Sequence, residues 1–165
     1  MLLCETPQIL LWRSAFPPSP DTIPIKLVGN LGEIMSETLA AWTPRALSVL
    51  RLIMGLMIIQ HGMAKLLGFP AVASFANLNP LSLIGVAGFI ELIGGALLIV
   101  GWQTRLVAFI ISGEMAFAYF MAHAPKSFFP LINGGTLAIM FCFTCLFLST
   151  AGPGPWSVDA AMKRD

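Results

Sequence analysis

The sequence predicts an all-α fold: a polytopic membrane four-helix bundle with both termini on the cytoplasmic side. Hydrophobic residues make up 57% of the 165 residues and charged residues only 10%, and the mean hydropathy is +0.85, which excludes a soluble globular domain. Four apolar segments are each about 20 residues long, the length of a helix that crosses a bilayer core of roughly 30 Å. Basic residues outside these segments lie mostly on one side of the predicted bundle.

The predicted transmembrane domain covers residues 44–152. Thr43-Pro44 provides an N-cap followed by proline at the first helical position, so the first helix is predicted to begin there. Asn79-Pro80 begins the second helix in the same way, and Gly101 ends it. The connection to the third helix is so short that the second and third helices are predicted to be antiparallel neighbours. The four predicted helices cover residues 44–64, 81–101, 104–123 and 131–150.

The two ends of the chain are predicted to lie outside the bundle. Residues 1–43 are predicted to form an irregular, disordered leader, because the prolines between Phe16 and Pro24 oppose helix formation. An alternative is that the mature protein begins at Met35. Residues 153–165 are predicted to be a short cytoplasmic tail.

The distribution of basic residues predicts the orientation. Four spans place both termini on one side, and that side holds six basic residues against two on the other. By the positive-inside rule, the chain is predicted to be N-in/C-in in the bacterial cytoplasmic (inner) membrane. The six are Arg13, Lys26, Arg45, Arg105, Lys163 and Arg164, and the two are Lys65 and Lys126.

Two carboxylates lie inside the predicted spans, where a charge is costly and usually faces the bundle interior. Glu91 is near the middle of the second helix and Glu114 near the middle of the third. Arg51 lies roughly 10 Å into the membrane from the cytoplasmic end of the first helix. We therefore predict a buried proton-handling cluster of Arg51, Glu91 and Glu114. The alternative is that the three charges only hold the helices together. Glu91 shares its helix face with Gly85, Gly88, Gly94 and Gly95, which let neighbouring backbones approach closely.

A second polar group is predicted toward the outer side. We predict that His61, Lys65, His123 and Asn133 bind a ligand, because histidine titrates near neutral pH and the cations can bind an anionic group. The alternative is that the histidines form hydrogen bonds within the bundle and the lysines extend to the interface. Nothing else in the sequence supports haem ligation by the histidines, and no metal site is predicted.

Charge and cysteine content exclude other classes. The formal net charge is +1 with dispersed basic residues, so no nucleic-acid partner is predicted. Cys4, Cys142 and Cys145 provide no disulfide framework. Cys142 and Cys145 are three residues apart inside an apolar span, where small apolar packing is favoured over the redox pair that an exposed helix N-terminus would support.

Several motifs occur in order along the chain. They are His61-Gly-x-x-Lys65-Leu66, Glu91-x-x-Gly-Gly95 with Gly101-x-x-Thr-Arg105, and Asn133-Gly-Gly135 leading to Gly152-Pro-Gly-Pro-Trp-Ser-Val-Asp159. Together they resemble the DoxX family of small four-helix membrane proteins, over Arg45 to Asp159. The chain departs from the family pattern at Thr136, where an acid is usual. The resemblance implies a part in a membrane redox complex, such as the membrane subunit of thiosulfate:quinone oxidoreductase.

We therefore predict a membrane subunit of a quinone-linked redox system, with quinone as co-substrate and the lipid bilayer as its surroundings. No flavin, metal or nucleotide motif is visible, so electrons would come from a soluble oxidoreductase subunit. One alternative is transport of a small solute or a proton, for which a homodimer could supply a path. The other is a non-catalytic membrane anchor or assembly factor for a soluble partner.

Overall fold

The computed structural model of the protein describes residues 25–163, with side chains from residue 32 onward. It divides into two units, residues 1–40 and residues 41–165, and the second contains the sites described below. The described part of the chain is all-helical and contains no strand. Its α-helices are α1 Ile25–Leu66, α2 Leu83–Val100, α3 Thr104–Ala118, α4 Pro130–Asn133, α5 Thr136–Ala151 and α6 Val158–Met162.

The first helix begins earlier than the sequence predicts. α1 begins at Ile25, so residues 25–43 are helical and not irregular as predicted, while residues 1–24 of the predicted leader lie outside the described residues. Pro44 lies inside α1 and does not begin it. No proline lies between Pro24 and Pro44 to interrupt the helix. Pro44 itself removes one backbone donor from the helix, and the helix continues through it.

The second and third helices match their predicted ranges closely. Ser82 caps α2, because its Oγ accepts a hydrogen bond from Gly85 N at 3.2 Å, and Gly101 ends α2 at φ +74°. α3 continues through a π-helical turn, Tyr119–His123, and a 3₁₀ turn, Ala124–Lys126. The loop before α2 contains a further 3₁₀ turn, Ala73–Phe75.

Three described segments are long and apolar enough to cross a membrane: Gly32–Leu66, Leu83–Val100 and Thr104–Lys126. The fourth predicted span divides into α4 and α5, because Gly134 at φ +73° ends α4. α5 has 16 residues, which is fewer than the roughly 20 that a span usually needs. The chain is therefore an all-helical membrane protein with three segments of spanning length among the residues described.

Glycines bring α1 and α2 into close contact, as predicted from the glycine face of α2. Gly85, Gly88, Glu91, Gly94 and Gly95 are all buried. A Cβ added at Gly62 of α1 would lie 2.7 Å from Leu92 Cα and 2.8 Å from the Gly88 carbonyl oxygen of α2. Only a hydrogen atom fits between these backbones, so the absence of a side chain at Gly62 sets how closely the two helices approach.

The centre of the bundle is an apolar layer, defined by its buried side chains from α1, α2, α3 and α5. Large hydrophobic side chains on the outward faces are exposed, as expected for helices in contact with lipid. Cys145 is fully buried in this layer, and Cys142 Sγ lies 3.6 Å from Ser112 Oγ, in agreement with a packing role for both free thiols. The layer consists of Met54, Ile58, Leu98, Val107, Ala108, Ile111, Met115, Phe141, Cys145 and Leu148.

Candidate functional site

The centre of the candidate site is a buried ion pair between α1 and α2. Lys65 in the last turn of α1 donates to Glu91 on α2, with Nζ 2.7 Å from Oε1. The Lys65 side chain is only 11% exposed and that of Glu91 only 2%. His61 lies one turn before Lys65, interacts electrostatically with Glu91, and donates from Nδ1–H to the Met57 carbonyl at 2.8 Å. A pair so strongly desolvated is stable only while both partners are present.

A second carboxyl group lies beside this pair. Glu114 on α3 interacts electrostatically with both Glu91 and Lys65. Its two carboxyl oxygens are buried and have no hydrogen-bond partner among the described residues. The site therefore combines two carboxyl groups with one ammonium group. Both oxygens of Glu114 and Oε2 of Glu91 have no hydrogen-bond partner among the described residues, so Glu114 is the carboxyl group with both oxygens available to a ligand or a proton.

A cavity of about 300 Å³ lies next to Glu114. Ten of its lining side chains are apolar, from α2, α3 and the turn that contains Phe75, and only Lys65, Glu114 and His123 are polar or charged. The Lys65 Nζ also lies 5.9 Å from the centre of the Phe75 ring. An apolar cavity with a few polar groups at one place is typical of sites for small amphipathic molecules.

The π-helical turn places His123 at this cavity, and Asn133 fixes the loop behind it. His123 Nδ1–H donates to the Asn133 carbonyl at 3.1 Å, and the ring stacks on Tyr119 at 6.4 Å between centroids. The Asn133 side chain is buried, donates to the Ser127 carbonyl at 2.8 Å and accepts from Gly135 N at 2.7 Å. Asn133 is not among the cavity residues, so it contributes here by positioning His123.

Arg51 lies near the C-terminal segment and not beside the Lys65–Glu91 pair. It is fully buried, its Nη2 donates to the Trp156 carbonyl at 2.6 Å, and it interacts electrostatically with Asp159. Its guanidinium packs against Gly101, where an added Cβ would lie 2.7 Å from the Arg51 Cζ. Lys65 follows 14 residues later on α1, about 21 Å away along the helix. The predicted meeting of Arg51 with the two glutamates is therefore wrong, and Lys65 is the cation at Glu91.

The C-terminal segment joins three helices at the Arg51 end of the bundle. Asp159 accepts hydrogen bonds from Gln103 N at 2.8 Å and Thr104 N at 2.9 Å, and so caps α3. Arg105 donates to the carbonyls of Ser149 and Thr150 at the end of α5. Asp159 and Arg105 were not among the predicted site residues, although both lie in the motifs that carry the family resemblance.

We expect Asp159 to make stability depend on pH. Burial opposes ionisation of Asp159, but the hydrogen bonds from Thr104 and Gln103 outweigh it, so the pKa of this carboxyl lies below its usual value. Its stabilising effect is therefore complete above the unfolded-state pKa of about 3.9 and is lost as the pH falls through the lower folded-state value. Asp159→Asn replaces one of the two acceptor oxygens with an amide NH₂ group, so it should cost about 1 kcal/mol at pH 7, and the cost should shrink as the pH falls toward 3.

Thermal unfolding in detergent between pH 3 and pH 7 measures this difference. Glu33→Gln, at an exposed acid, serves as the control and should leave the profile unchanged. A constant difference between wild type and Asp159→Asn over the whole range would show that the carboxylate charge has no part in the cap.

Comparison with known proteins places the chain in a family. The DoxX family profile matches residues 46–124. An uncharacterized protein of Haemophilus influenzae is 41% identical over 74% of this chain and 95% of its own length. The chain belongs to the DoxX family. An uncharacterized membrane protein of Mycobacterium tuberculosis is 22% identical to this DoxX chain, over 84% of the chain and 94% of the relative. No solved structure matches it.

The motifs of this DoxX chain divide between two places in the fold. His61, Lys65 and Glu91 belong to the ion pair and its surroundings, next to the cavity. Arg105 and Asp159 belong to the C-terminal junction, where they bond to helix ends. The first group carries the chemistry of the candidate site, and the second group stabilises the opposite end of the bundle.

Proposed function

We propose that this DoxX-family membrane protein is the membrane subunit of a quinone-linked redox system, and that it binds the quinone ring in the cavity beside Glu114. The observation that carries this proposal is a cavity of about 300 Å³ that is apolar apart from Lys65, Glu114 and His123. A quinone matches this lining, because it is an apolar ring that carries two carbonyl oxygens at its edges.

Each polar residue of the cavity has a role in this proposal. The Lys65 ammonium donates a hydrogen bond to one quinone oxygen without leaving Glu91, because an ammonium has three donors and the ion pair uses one. Glu114 supplies a proton to the reduced ring, since its oxygens have no hydrogen-bond partner among the described residues. His123 donates from Nδ1 to Asn133, which leaves Nε2 for the ligand.

Reduction of a quinone to a quinol takes two electrons and two protons. The electrons come from a soluble oxidoreductase subunit in this proposal, because electron transfer needs a cofactor that the partner would hold. The chain's own part is to bind the ring, hold it in the apolar cavity and transfer protons at Glu114. We place the protein in the bacterial inner membrane with α5 as a fourth span and both termini in the cytoplasm, in line with the distribution of basic residues.

Binding of decylubiquinone to the full chain in nanodiscs tests the proposal. We expect Glu114→Leu to weaken binding about ten-fold, because a hydrogen bond to an ionisable group is lost from an apolar cavity. Glu37→Leu removes an exposed acid and should bind like the wild type. Equal affinity of Glu114→Leu and wild type, or no saturable binding by the wild type, would rule out the cavity as a quinone site.

Transport of a small solute or a proton is the second candidate function. Glu91, Glu114, Lys65 and His61 provide polar groups in one half of the bundle, but the apolar layer separates them from the junction at Arg51. A path through a single described chain is therefore interrupted, and transport would need a homodimer. Flux into proteoliposomes that is abolished by Glu91→Gln would favour transport over the redox proposal. A role as an anchor or assembly factor predicts that Glu91→Gln leaves the turnover of a soluble partner unchanged.

A further inference from the structure

A long apolar groove lies at the Arg51 end of the bundle, far from the quinone cavity proposed above. Its volume is about 930 Å³, roughly three times that of the cavity beside Glu114. Leu47 and Leu50 of α1 and Phe147 of α5 line its deeper part, and Lys163, which follows α6, lines its outer end. Leu50 is about 10 Å further along α1 than Thr43, which also lines the groove, so the groove extends about two helical turns into the bundle.

A polar pocket of about 340 Å³ adjoins this groove. The two share Pro153, Asp159 and Lys163, so they form one continuous depression. Gln103 and Arg105 complete the polar part. The apolar and polar halves together have the shape of a site for an amphipathic molecule, with a head in the pocket and a chain in the groove.

The charges of the polar pocket favour an anionic head. Arg105 donates to backbone carbonyls of α5, which carry no formal charge, so its positive charge is not neutralised. Asp159 is the one acid among the pocket residues, and both of its oxygens are held by backbone N–H groups of Gln103 and Thr104. Lys163 is exposed beside it. The pocket therefore carries two cations and one carboxylate, a net charge of +1. Lys163 interacts electrostatically with Asp159, whose oxygens already accept the two backbone N–H groups.

We infer that this depression binds an anionic phospholipid, with its phosphate group between Arg105 and Lys163 and an acyl chain in the groove along Leu50 and Phe147. Leu47 and Leu50, which line the groove, belong to the segment Gly32–Leu66, which has the length and composition of a membrane span, and lipid chains reach that depth while soluble proteins do not. Exposed Trp102 and Trp156 at the same end suit the headgroup region. Basic residues next to a span attract anionic lipids.

Native mass spectrometry of the delipidated full chain in detergent tests this inference, with phosphatidylglycerol and phosphatidylcholine of identical acyl chains as the probes. We expect one phosphatidylglycerol per chain, bound at least ten-fold more tightly than phosphatidylcholine. Lys163→Gln should weaken phosphatidylglycerol binding about five-fold, because one cation near the headgroup is lost. Lys126→Gln, at an exposed lysine outside this depression, is the matched control and should bind like the wild type.

The groove is tested separately with a bulky substitution. Leu50→Trp fills its deeper part and should reduce phosphatidylglycerol binding, whereas Leu106→Trp, at an exposed position outside the groove, should not. Equal retention of the two lipids, equal affinity of Lys163→Gln and Lys126→Gln, or full competition by glycerol phosphate without acyl chains would overturn the inference. Protein that forms a dimer in detergent and retains no lipid would overturn it as well, since a second copy would then cover the groove.

Discussion

Lys65→Met should destabilise the protein by about 3 kcal/mol, the largest effect that we expect from a single side chain. Lys65 and Glu91 form a pair at 2.7 Å in which the glutamate is 2% exposed. Removal of one partner from such a pair leaves an uncompensated buried charge, which costs more than the pair itself contributes. Glu114 adds a second carboxyl group to the same surroundings. The free energy of unfolding in mixed detergent micelles measures the effect.

The double variant Lys65→Met/Glu91→Leu separates the ion pair from simple packing. Because it removes both charges, it should recover most of the stability that Lys65→Met loses, and the two single effects should be strongly non-additive. Lys126→Met, at an exposed lysine, serves as the control and should change stability by less than about 0.5 kcal/mol. Additive losses in the double variant would show that the lysine contributes through its aliphatic chain alone.

Gly62→Ala should cost about 3 kcal/mol, since the added methyl group would meet the backbone of α2. Its Cβ would lie 2.7 Å from Leu92 Cα and 2.8 Å from the Gly88 carbonyl oxygen, and backbone atoms cannot turn aside as the end of a side chain can. Either α1 moves away from α2 or the bundle loses the contact. Because Lys65 follows Gly62 by one turn, the same displacement should weaken binding of decylubiquinone.

Gly113→Ala is the matched control for Gly62→Ala. It makes the same chemical change inside α3, but nothing lies within 4 Å of the added Cβ. Alanine is the better helix former, so stability should stay the same or rise by up to about 1 kcal/mol. If both substitutions had the same effect on thermal unfolding, the cost at Gly62 would arise from the helix itself and not from contact with α2.

Helical periodicity predicted which faces point inward. Glu91 and its glycines recur at three- and four-residue intervals, and the structure buries all of them. Arg51, His61 and Lys65 also lie on one face of α1, and none of the three is exposed. Burial of a face follows from the order of residue types alone, so one sequence is sufficient to predict it.

The partners within the bundle could not be predicted in this way. Arg51 bonds to Trp156, 105 residues later, and a helical wheel contains no information on which distant segment returns to a given turn. The sequence predicts that Lys65 binds a ligand or, alternatively, extends to the interface. It does not predict the pairing with Glu91, because that pairing depends on how far α1 and α2 are shifted along each other. Gly62 and the glycines of α2 set that shift through backbone contact, which residue spacing does not encode.

The apolar layer also bears on bioenergetics. Met54, Ile58, Leu98 and Ile111 lie between the ionisable groups near Lys65 and those near Arg51, and none of them can relay a proton. Under the redox proposal, protons reach Glu114 only from the side of the membrane on which Lys65 lies, and they leave the site on the oxygens of the quinol. If the soluble partner delivers its electrons from that same side, quinol formation moves no charge across the apolar layer, and its rate should not respond to a change in membrane potential.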